Sequence, residues 1–262
     1  MRRTETMGAV DYDAIAADYD RRYAVNDYSQ MQAALLDFVE NIPTGRALEV
    51  GCGTGHWLRV LGDAVRVAGI DPSANMLRYA RTKAPVSALV RATAERLPWC
   101  NGAFERLYCV NALHHFEDAA AFAGEARRVL APGGRLLTIG LDPHTGTERW
   151  FIYEYFAPVR EIDRQRYPST ARIRAWLRTA GFTDVHTREV QHLPARLSAR
   201  SALDDGTLAK HTRSQLALLS DDQYEEGLDR IRVALRDADT RGETLTLTAD
   251  LRLYGTYATA PR

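Results

Sequence analysis

The chain contains few cysteines and no excess of charge of either sign. Its three cysteines, Cys52, Cys100 and Cys109, lack paired spacing, which argues against a disulfide framework and against a zinc site, so we expect no metal. Lysine plus arginine and aspartate plus glutamate both number 34, and the formal net charge is zero. Because proteins that bind DNA or RNA usually carry a basic excess, we expect no nucleic-acid partner.

Long apolar runs, repeats and low-complexity tracts are also absent from the sequence. Residues 1–5 lack the apolar stretch of a signal peptide, and no segment approaches the roughly 20 apolar residues of a membrane span. We therefore expect a cytoplasmic protein without membrane insertion. The 262 residues, of which 45% are hydrophobic, suffice for one domain with a large core. Nothing in the sequence indicates an oligomeric state.

Short strand patterns alternate with helical patterns between residues 45 and 142. Apolar segments at 47–50, 65–70, 86–90, 107–111 and 135–140 read as strands, and segments of helical periodicity separate them. This alternation predicts βαβ units and a doubly wound α/β fold, in which a mostly parallel sheet carries helices on both faces. Ligands of such sheets bind outside the carboxyl ends of the strands.

The flanking segments complete a single predicted domain with a seven-stranded sheet. Residues 1–44 have a helical pattern and form an N-terminal cap. Residues 143–194 contain a helical segment and a sixth strand, and a last strand at 245–258 pairs antiparallel with its neighbour. Between these two strands lies a polar, helical insertion at 195–240. We expect this insertion to cover the strand ends as a lid.

A glycine-rich loop follows the first strand and precedes a helix. Gly51, Gly53 and Gly55 allow the backbone to turn sharply and to approach a ligand closely, although a purely structural turn has the same pattern. Glu49 lies in the strand itself, and Asp71 ends the next strand. A carboxylate at the latter position can accept both hydroxyls of a ribose; the alternative is a turn aspartate before Pro72.

Five motifs in this order carry a family resemblance over residues 45–142. They are LEVGCGTG at 48–55, GIDPS at 69–73, AERLPW at 94–99, NALHHF at 111–116 and RVLAPGG at 128–134. Together they resemble the class I S-adenosylmethionine-dependent methyltransferases, in particular the group that includes the ubiquinone and menaquinone biosynthesis enzymes. The resemblance implies a Rossmann-like fold and S-adenosylmethionine as cofactor.

The resemblance also implies roles for residues at the methionine end and the ribose of the cofactor. Gly51 and Gly53 would pass the methionine part, and Glu49 would meet its ammonium group directly or through water. Asp71 would hold the ribose, and Asn111 would line the methionine end with its backbone carbonyl. Cys52 and Pro72 belong to the same two motifs and complete this part of the predicted site.

Further residues would surround the adenine. Met76 would pack on the ring, Ala94 would offer its backbone amide, and Tyr19 would close over the cofactor, although Met76 and Tyr19 could equally be core residues. Glu95 adjoins this group. Relatives often carry an aspartate where this chain has Thr93, so the expected acceptor for the adenine amino group is neutral here.

Methyl transfer requires mainly that the acceptor atom, the methyl group and the sulfur are aligned, because the sulfonium is already a strong electrophile. If the acceptor atom is a hydroxyl oxygen or an acidic carbon, a base accelerates the reaction by about 10²–10⁴-fold. The candidates are His114, His115 and His144, with Asp142 as a weaker one, and each could instead be a packing or surface residue. The aromatic segment at 150–156 could wall an apolar acceptor or bury the next helix.

Two other functions share parts of this pattern. A nicotinamide-dependent oxidoreductase would carry G-x-G-x-x-G, but His56 stands at the position of the third glycine. A non-catalytic cofactor-binding or scaffold protein would keep the glycines and Asp71. The NPPY-type tetrapeptide of nucleic-acid amino methyltransferases is missing, since NALH stands at 111–114. We therefore expect a small-molecule acceptor that is methylated on oxygen or carbon, with nitrogen less favoured.

Overall fold

The computed structural model describes residues 20, 23, 26–42, 45–85 and 88–262. Much of the predicted N-terminal cap, including Tyr19, lies outside the described residues. Helix α1 (Ser29–Val39) is the described part of this region, and it buries Met31, Leu35 and Phe38, which are spaced four and three residues apart. This spacing places the three side chains on one face of the helix.

Five parallel strands form the centre of the sheet: β1 (Arg46–Val50), β2 (Arg66–Asp71), β3 (Ala88–Arg91), β4 (Phe104–Val110) and β5 (Leu130–Leu141). Their order is β3-β2-β1-β4-β5. The chain moves outward from β1 in one direction and then returns to β1's other side, so the switch point of the topology lies between β1 and β4. The predicted alternation of strands and helices is confirmed.

Three helices connect these strands: α2 (His56–Leu61), α3 (Ala74–Lys83) and α4 (Ala119–Val129). The starts of two of them are explained by capping, because the Ser73 side chain accepts the N–H of Met76 and the Asp118 side chain accepts those of Ala120 and Ala121. A single 3₁₀ turn, Leu113–His115, follows β4.

The remaining strands complete one side of the sheet with antiparallel pairs. They are β6 (Arg149–Trp150), β7 (Thr183–Ser198) and β8 (Thr246–Thr259). Strand β8 lies between β5 and β7, and β6 pairs with its first half. The described residues thus form an eight-stranded sheet, because the two-residue β6 adds to the seven predicted strands.

The hairpin of β7 and β8 extends beyond the carboxyl end of β5. Strand β5 ends at Leu141, opposite Leu253, whereas β7 and β8 stay paired as far as Ser198 and Thr246. The helical insertion therefore begins at Ala199, later than the predicted residue 195. Pro194 lies within β7, which is an edge strand of the described sheet, a position where proline is tolerated.

Helices of the second half pack in two places. Helix α7 (Thr170–Thr179) covers the same face of the sheet as α4. The others form an apolar cluster around the projecting hairpin: α5 (Phe151–Tyr155), α6 (Val159–Arg166), α8 (Ala199–Asp204), α9 (Ser214–Ala217) and α10 (Asp221–Thr240). A second 3₁₀ turn, Lys210–Thr212, precedes α9. Among the described residues, no helix has the length and apolar character to cross a membrane.

Candidate cofactor site

A cavity opens at the carboxyl ends of β1, β2 and β4, and the glycine loop forms one of its walls. Gly51 has φ +76°, and a Cβ at this residue would lie 2.4 Å from the Cβ of Ala112. Gly55 has φ +79°, and a Cβ there would lie 2.9 Å from Ala80. Both positions thus require glycine, because the backbone is left-handed and the neighbouring chain is close.

Asp71 connects the tip of β2 to this loop. One carboxylate oxygen accepts the backbone N–H of Gly53 at 2.9 Å, and the other accepts that of Ser73 at 2.9 Å. The interpretation as a turn aspartate is therefore correct for the local geometry, but the same side chain also lines the cavity. A carboxylate has about four acceptor positions, so these backbone contacts are compatible with ligand hydroxyls at the same oxygens.

Glu49 is the second carboxyl group of the cavity, and it is almost completely buried. Its side chain lies beside that of Tyr108, whose hydroxyl donates to the Glu49 Oε2 at 3.3 Å. Burial raises the pKa of Glu49 well above its usual value, against the hydrogen bond from Tyr108, and the nearby charge of Asp71 raises it further. Burial also raises the pKa of the Cys52 thiol.

The other predicted cofactor residues of the described chain line the same cavity. The structure brings together eleven of them: Glu49, Gly51, Cys52, Gly53, Asp71, Pro72, Met76, Thr93, Ala94, Glu95 and Asn111. Most come from the tips of β1, β2 and β4 and from the segment after β3, as expected for ligand sites of parallel sheets, and Met76 comes from α3. Asn111 has φ +49°, a backbone conformation that asparagine tolerates better than most residues.

Sequence reasoning missed several residues that line this cavity. The main ones are Tyr23, Thr54, Trp57 and Phe116. Thr54 and Phe116 lie within motifs that had been recognised, so their inclusion was foreseeable. Trp57 lies one residue into α2, where helical periodicity alone indicates only core packing.

The three candidate histidines occupy different surroundings. His115 lines the cavity. His114 stacks on the ring of Tyr167, with ring centroids 3.8 Å apart. The Nε2 of His144 lies 2.8 Å from the backbone carbonyl of Tyr167, which accepts a hydrogen bond there. Only His115 of these three therefore contacts the cofactor cavity directly.

Asp142 and the aromatic segment at 150–156 have mainly structural contacts. The carboxylate of Asp142 accepts the backbone N–H groups of His144 and Thr170, at 3.0 and 2.8 Å. Phe151 and Phe156 are buried in the apolar cluster around the projecting hairpin. The interpretation that this segment buries the following helix is therefore correct for these two aromatics.

Two buried hydrogen bonds lie where the helical insertion packs beside the sheet. The hydroxyl of Tyr153 donates to Asp163 at 2.9 Å, and the amide of Gln215 in α9 donates to the hydroxyl of Tyr167 at 3.2 Å. Burial raises the pKa of Asp163 to about 6, although Tyr153 and the charge of Arg166 act in the opposite direction. Tyr167 stacks on His114, whose ring contacts that of the cavity residue His115.

Comparisons with known proteins identify a family for the chain. A family model described as a methyltransferase domain matches residues 48–138. The demethylmenaquinone methyltransferase of Lactococcus lactis subsp. lactis is 29% identical over 193 residues, which cover 68% of this chain and 77% of that protein. An uncharacterized protein of Mycobacterium tuberculosis is 32% identical over 200 residues, which cover 75% of this chain and 67% of that protein.

A solved structure shows the same fold at low sequence identity. The phosphoethanolamine N-methyltransferase 2 of Haemonchus contortus, in complex with S-adenosyl-L-methionine, superposes with a TM-score of 0.58 and 18% identity, and the match covers 97% of this chain and 61% of that one. The glycine loop, the two carboxyl groups at adjacent strand tips and the matching family model lead to one assignment. The chain belongs to the class I S-adenosylmethionine-dependent methyltransferases, and S-adenosylmethionine is its cofactor.

Proposed function

We propose that this enzyme methylates a small-molecule acceptor on oxygen or carbon, with the acceptor held between the cofactor cavity and the helical insertion. The observation that carries the proposal is the meeting of Glu49, Asp71 and the glycine loop in one cavity. The name of the Lactococcus relative, a demethylmenaquinone methyltransferase, supports a small-molecule acceptor. The absence of a net basic charge supports it as well.

The residues of the cavity fit an adenosyl cofactor. In this proposal Asp71 accepts hydrogen bonds from the ribose hydroxyls, and Met76 and Ala94 form the apolar and backbone contacts of the adenine. The buried Glu49 faces the ammonium group of the methionine part, and Asn111 borders the same end. Glu49 makes no ion pair with any described residue, so a cationic ligand group would supply the missing counter-charge.

The bound cofactor supplies a methyl group on a sulfonium, and the protein contributes alignment and exclusion of water. Correct positioning can lower the barrier by about 7–11 kcal/mol at best. His115 lines the cavity and is therefore our first candidate for a base that takes the proton of a hydroxyl or an acidic carbon. His114 packs on Tyr167 and would help to orient the adjacent His115.

The helical insertion is proposed as the cover of the acceptor. The projecting β7–β8 hairpin carries residues 199–245 past the carboxyl end of β5, which is the edge of the sheet where the cofactor cavity opens. The hydrogen bond from Gln215 to Tyr167 ties the insertion to the wall beside His114. A cover in this position would exclude water from the reacting atoms.

The proposed activity is tested by label transfer. The purified protein is incubated with S-adenosylmethionine carrying a labelled methyl group and with a metabolite extract, and small products are separated for mass spectrometry. We expect label in a small product with the wild type and less label with Asp71→Ala, whereas the exposed-site control Asp222→Ala transfers label normally. If the wild type binds the cofactor but transfers no label, the protein is a binding or scaffold protein.

A further inference from the structure

Tyr108 and Glu49 form a buried pair at the centre of the sheet, and the backbone of Leu58 gives Glu49 a second hydrogen bond. They are register partners on the neighbouring parallel strands β1 and β4. The exposed fraction is 1% for Glu49 and 0% for Tyr108, and the hydroxyl of Tyr108 lies 3.3 Å from the Oε2 of Glu49. Tyr108 itself does not line the cofactor cavity, whereas Glu49 does.

The surroundings of Glu49 are poor in positive charge. The titratable groups that face it are Tyr108 and Cys109 on β4, Asp71 at the end of β2 and Cys52 in the glycine loop. Farther along the cavity wall stand Tyr23, Glu95, His115 and Glu117. A buried carboxylate among these groups is stable only when hydrogen bonds and a cationic partner offset its lost hydration.

The geometry points to Tyr108 as a positioning residue: its hydroxyl holds the Glu49 carboxylate toward the ammonium group of the cofactor, and Glu49 releases its proton to solvent as the cofactor binds. This inference rests on the proposed role of Glu49. The ammonium group keeps its own protons, so the proton that Glu49 loses leaves the protein. The raised pKa of Glu49 agrees with a protonated carboxyl before binding.

Two ligands, the cofactor and one analogue, separate this role from general packing. S-Adenosylmethionine carries the amino acid part, whereas 5′-methylthioadenosine lacks it and retains the ribose and adenine. Tyr108→Phe keeps the ring in the core and removes only the hydroxyl. The matched control is Tyr257→Phe, which removes a buried hydroxyl from the same apolar cluster, where its partner is Arg188 rather than a cavity residue.

Binding is measured by calorimetry between pH 5 and 7, where the α-amino group of the cofactor stays protonated. We expect Tyr108→Phe to weaken S-adenosylmethionine binding about 10- to 100-fold, the range of one hydrogen bond to a charged group, and to leave 5′-methylthioadenosine binding unchanged. In the wild type, affinity for S-adenosylmethionine rises with pH as Glu49 ionises. Tyr108→Phe moves this rise to higher pH, because the hydrogen bond that favours the ionised carboxyl is lost.

The outcomes distinguish this inference from the proposed function. If Glu49→Gln leaves S-adenosylmethionine affinity unchanged at all pH values, the proposed role of Glu49 is wrong. If Glu49→Gln weakens binding and Tyr108→Phe changes neither affinity nor pH profile, only the role of Tyr108 is wrong. If Tyr108→Phe lowers the affinity for S-adenosylmethionine and for 5′-methylthioadenosine equally, the role of Tyr108 is also wrong, because equal losses indicate a general packing effect.

Discussion

The carboxylate of Asp71 accepts the backbone N–H of Gly53 at 2.9 Å, so the end of the second strand holds the loop that follows the first. The backbone N–H groups of Gly51 and Cys52 both donate to the carbonyl of Ile70, at 2.9 and 2.8 Å. Two adjacent strands are thus joined at their tips by backbone and side-chain contacts. The shape of the loop therefore depends on the residue that we assign to the ribose.

Replacing Asp71 tests its contact with the glycine loop and its assigned contact with the ribose. Asp71→Ala removes a charged acceptor, and we expect cofactor affinity to fall about 10- to 100-fold, which corresponds to about 1.5–3 kcal/mol. Asp71→Asn keeps one acceptor oxygen and should lose less. Calorimetry with S-adenosylmethionine measures both variants, and an unchanged affinity of the alanine variant contradicts the assignment.

The packing of the insertion against Phe156 can be tested by replacing one glycine. A Cβ at Gly227 in α10 would lie 2.1 Å from the ring of Phe156, which is fully buried. We expect Gly227→Ala to displace α10, to lower the midpoint of thermal unfolding and to reduce methyl transfer, while cofactor affinity stays unchanged.

Gly124 in α4 supplies the matched control for this glycine. A Cβ there meets no atom within 4 Å, so Gly124→Ala should stabilise the protein by about 0.5–1 kcal/mol through helix propensity. Differential scanning calorimetry and label transfer compare the two variants. Normal transfer by Gly227→Ala, despite a lowered unfolding temperature, would argue against the insertion as a cover of the acceptor.

Asp163 should make the stability of the protein depend on pH. Its pKa is raised from 3.8 to about 6, so between these values the folded state binds more protons than the unfolded state. The free energy of unfolding then falls as pH rises through this window, by about 3 kcal/mol at most. Asp163→Asn removes this contribution.

The measurement is urea unfolding of both proteins at pH 4, 5, 6 and 7. Other carboxyl groups act equally in the two proteins, so the difference between their unfolding free energies isolates Asp163. Between pH 4 and pH 6 we expect the wild type to lose unfolding free energy relative to the variant. Above pH 6 we expect the difference between the two proteins to stay constant. A difference that is constant with pH would show that Asp163 ionises normally.

The histidines should differ in their effect on turnover. If a base is needed, His115→Ala should lower label transfer about 10²–10⁴-fold, with little effect on cofactor affinity. His144→Ala should lower it less than about tenfold, because its ring is bound to the carbonyl of Tyr167. Equal effects of the two substitutions would remove His115 from the role of base.

The cofactor side could be predicted from the sequence, because its residues follow short motifs at strand ends. Glu49, Gly51, Asp71 and Asn111 lie on consecutive tips of parallel strands, and such tips meet at one edge of a sheet. The pair of Glu49 and Tyr108 was not predicted, since it depends on the register between β1 and β4. Register is a long-range property that a single strand pattern does not reveal.

The acceptor side was less predictable for a different reason. The end of β7 was missed because exposed edge strands lack a clear apolar alternation. The contact between Gln215 and Tyr167 joins residues 48 positions apart, across two α-helices, a 3₁₀ turn and a strand. Only the packing of the insertion brings them together.

The long β7–β8 hairpin also bears on how this enzyme could diversify. Residues 198 and 246 face each other at its far end, so the chain leaves and re-enters the sheet at neighbouring points. A segment of another length could be exchanged there without altering any strand pairing closer to the cofactor. Chimaeras joined at these two positions would therefore be suited to changing acceptor range while retaining the same methyl donor.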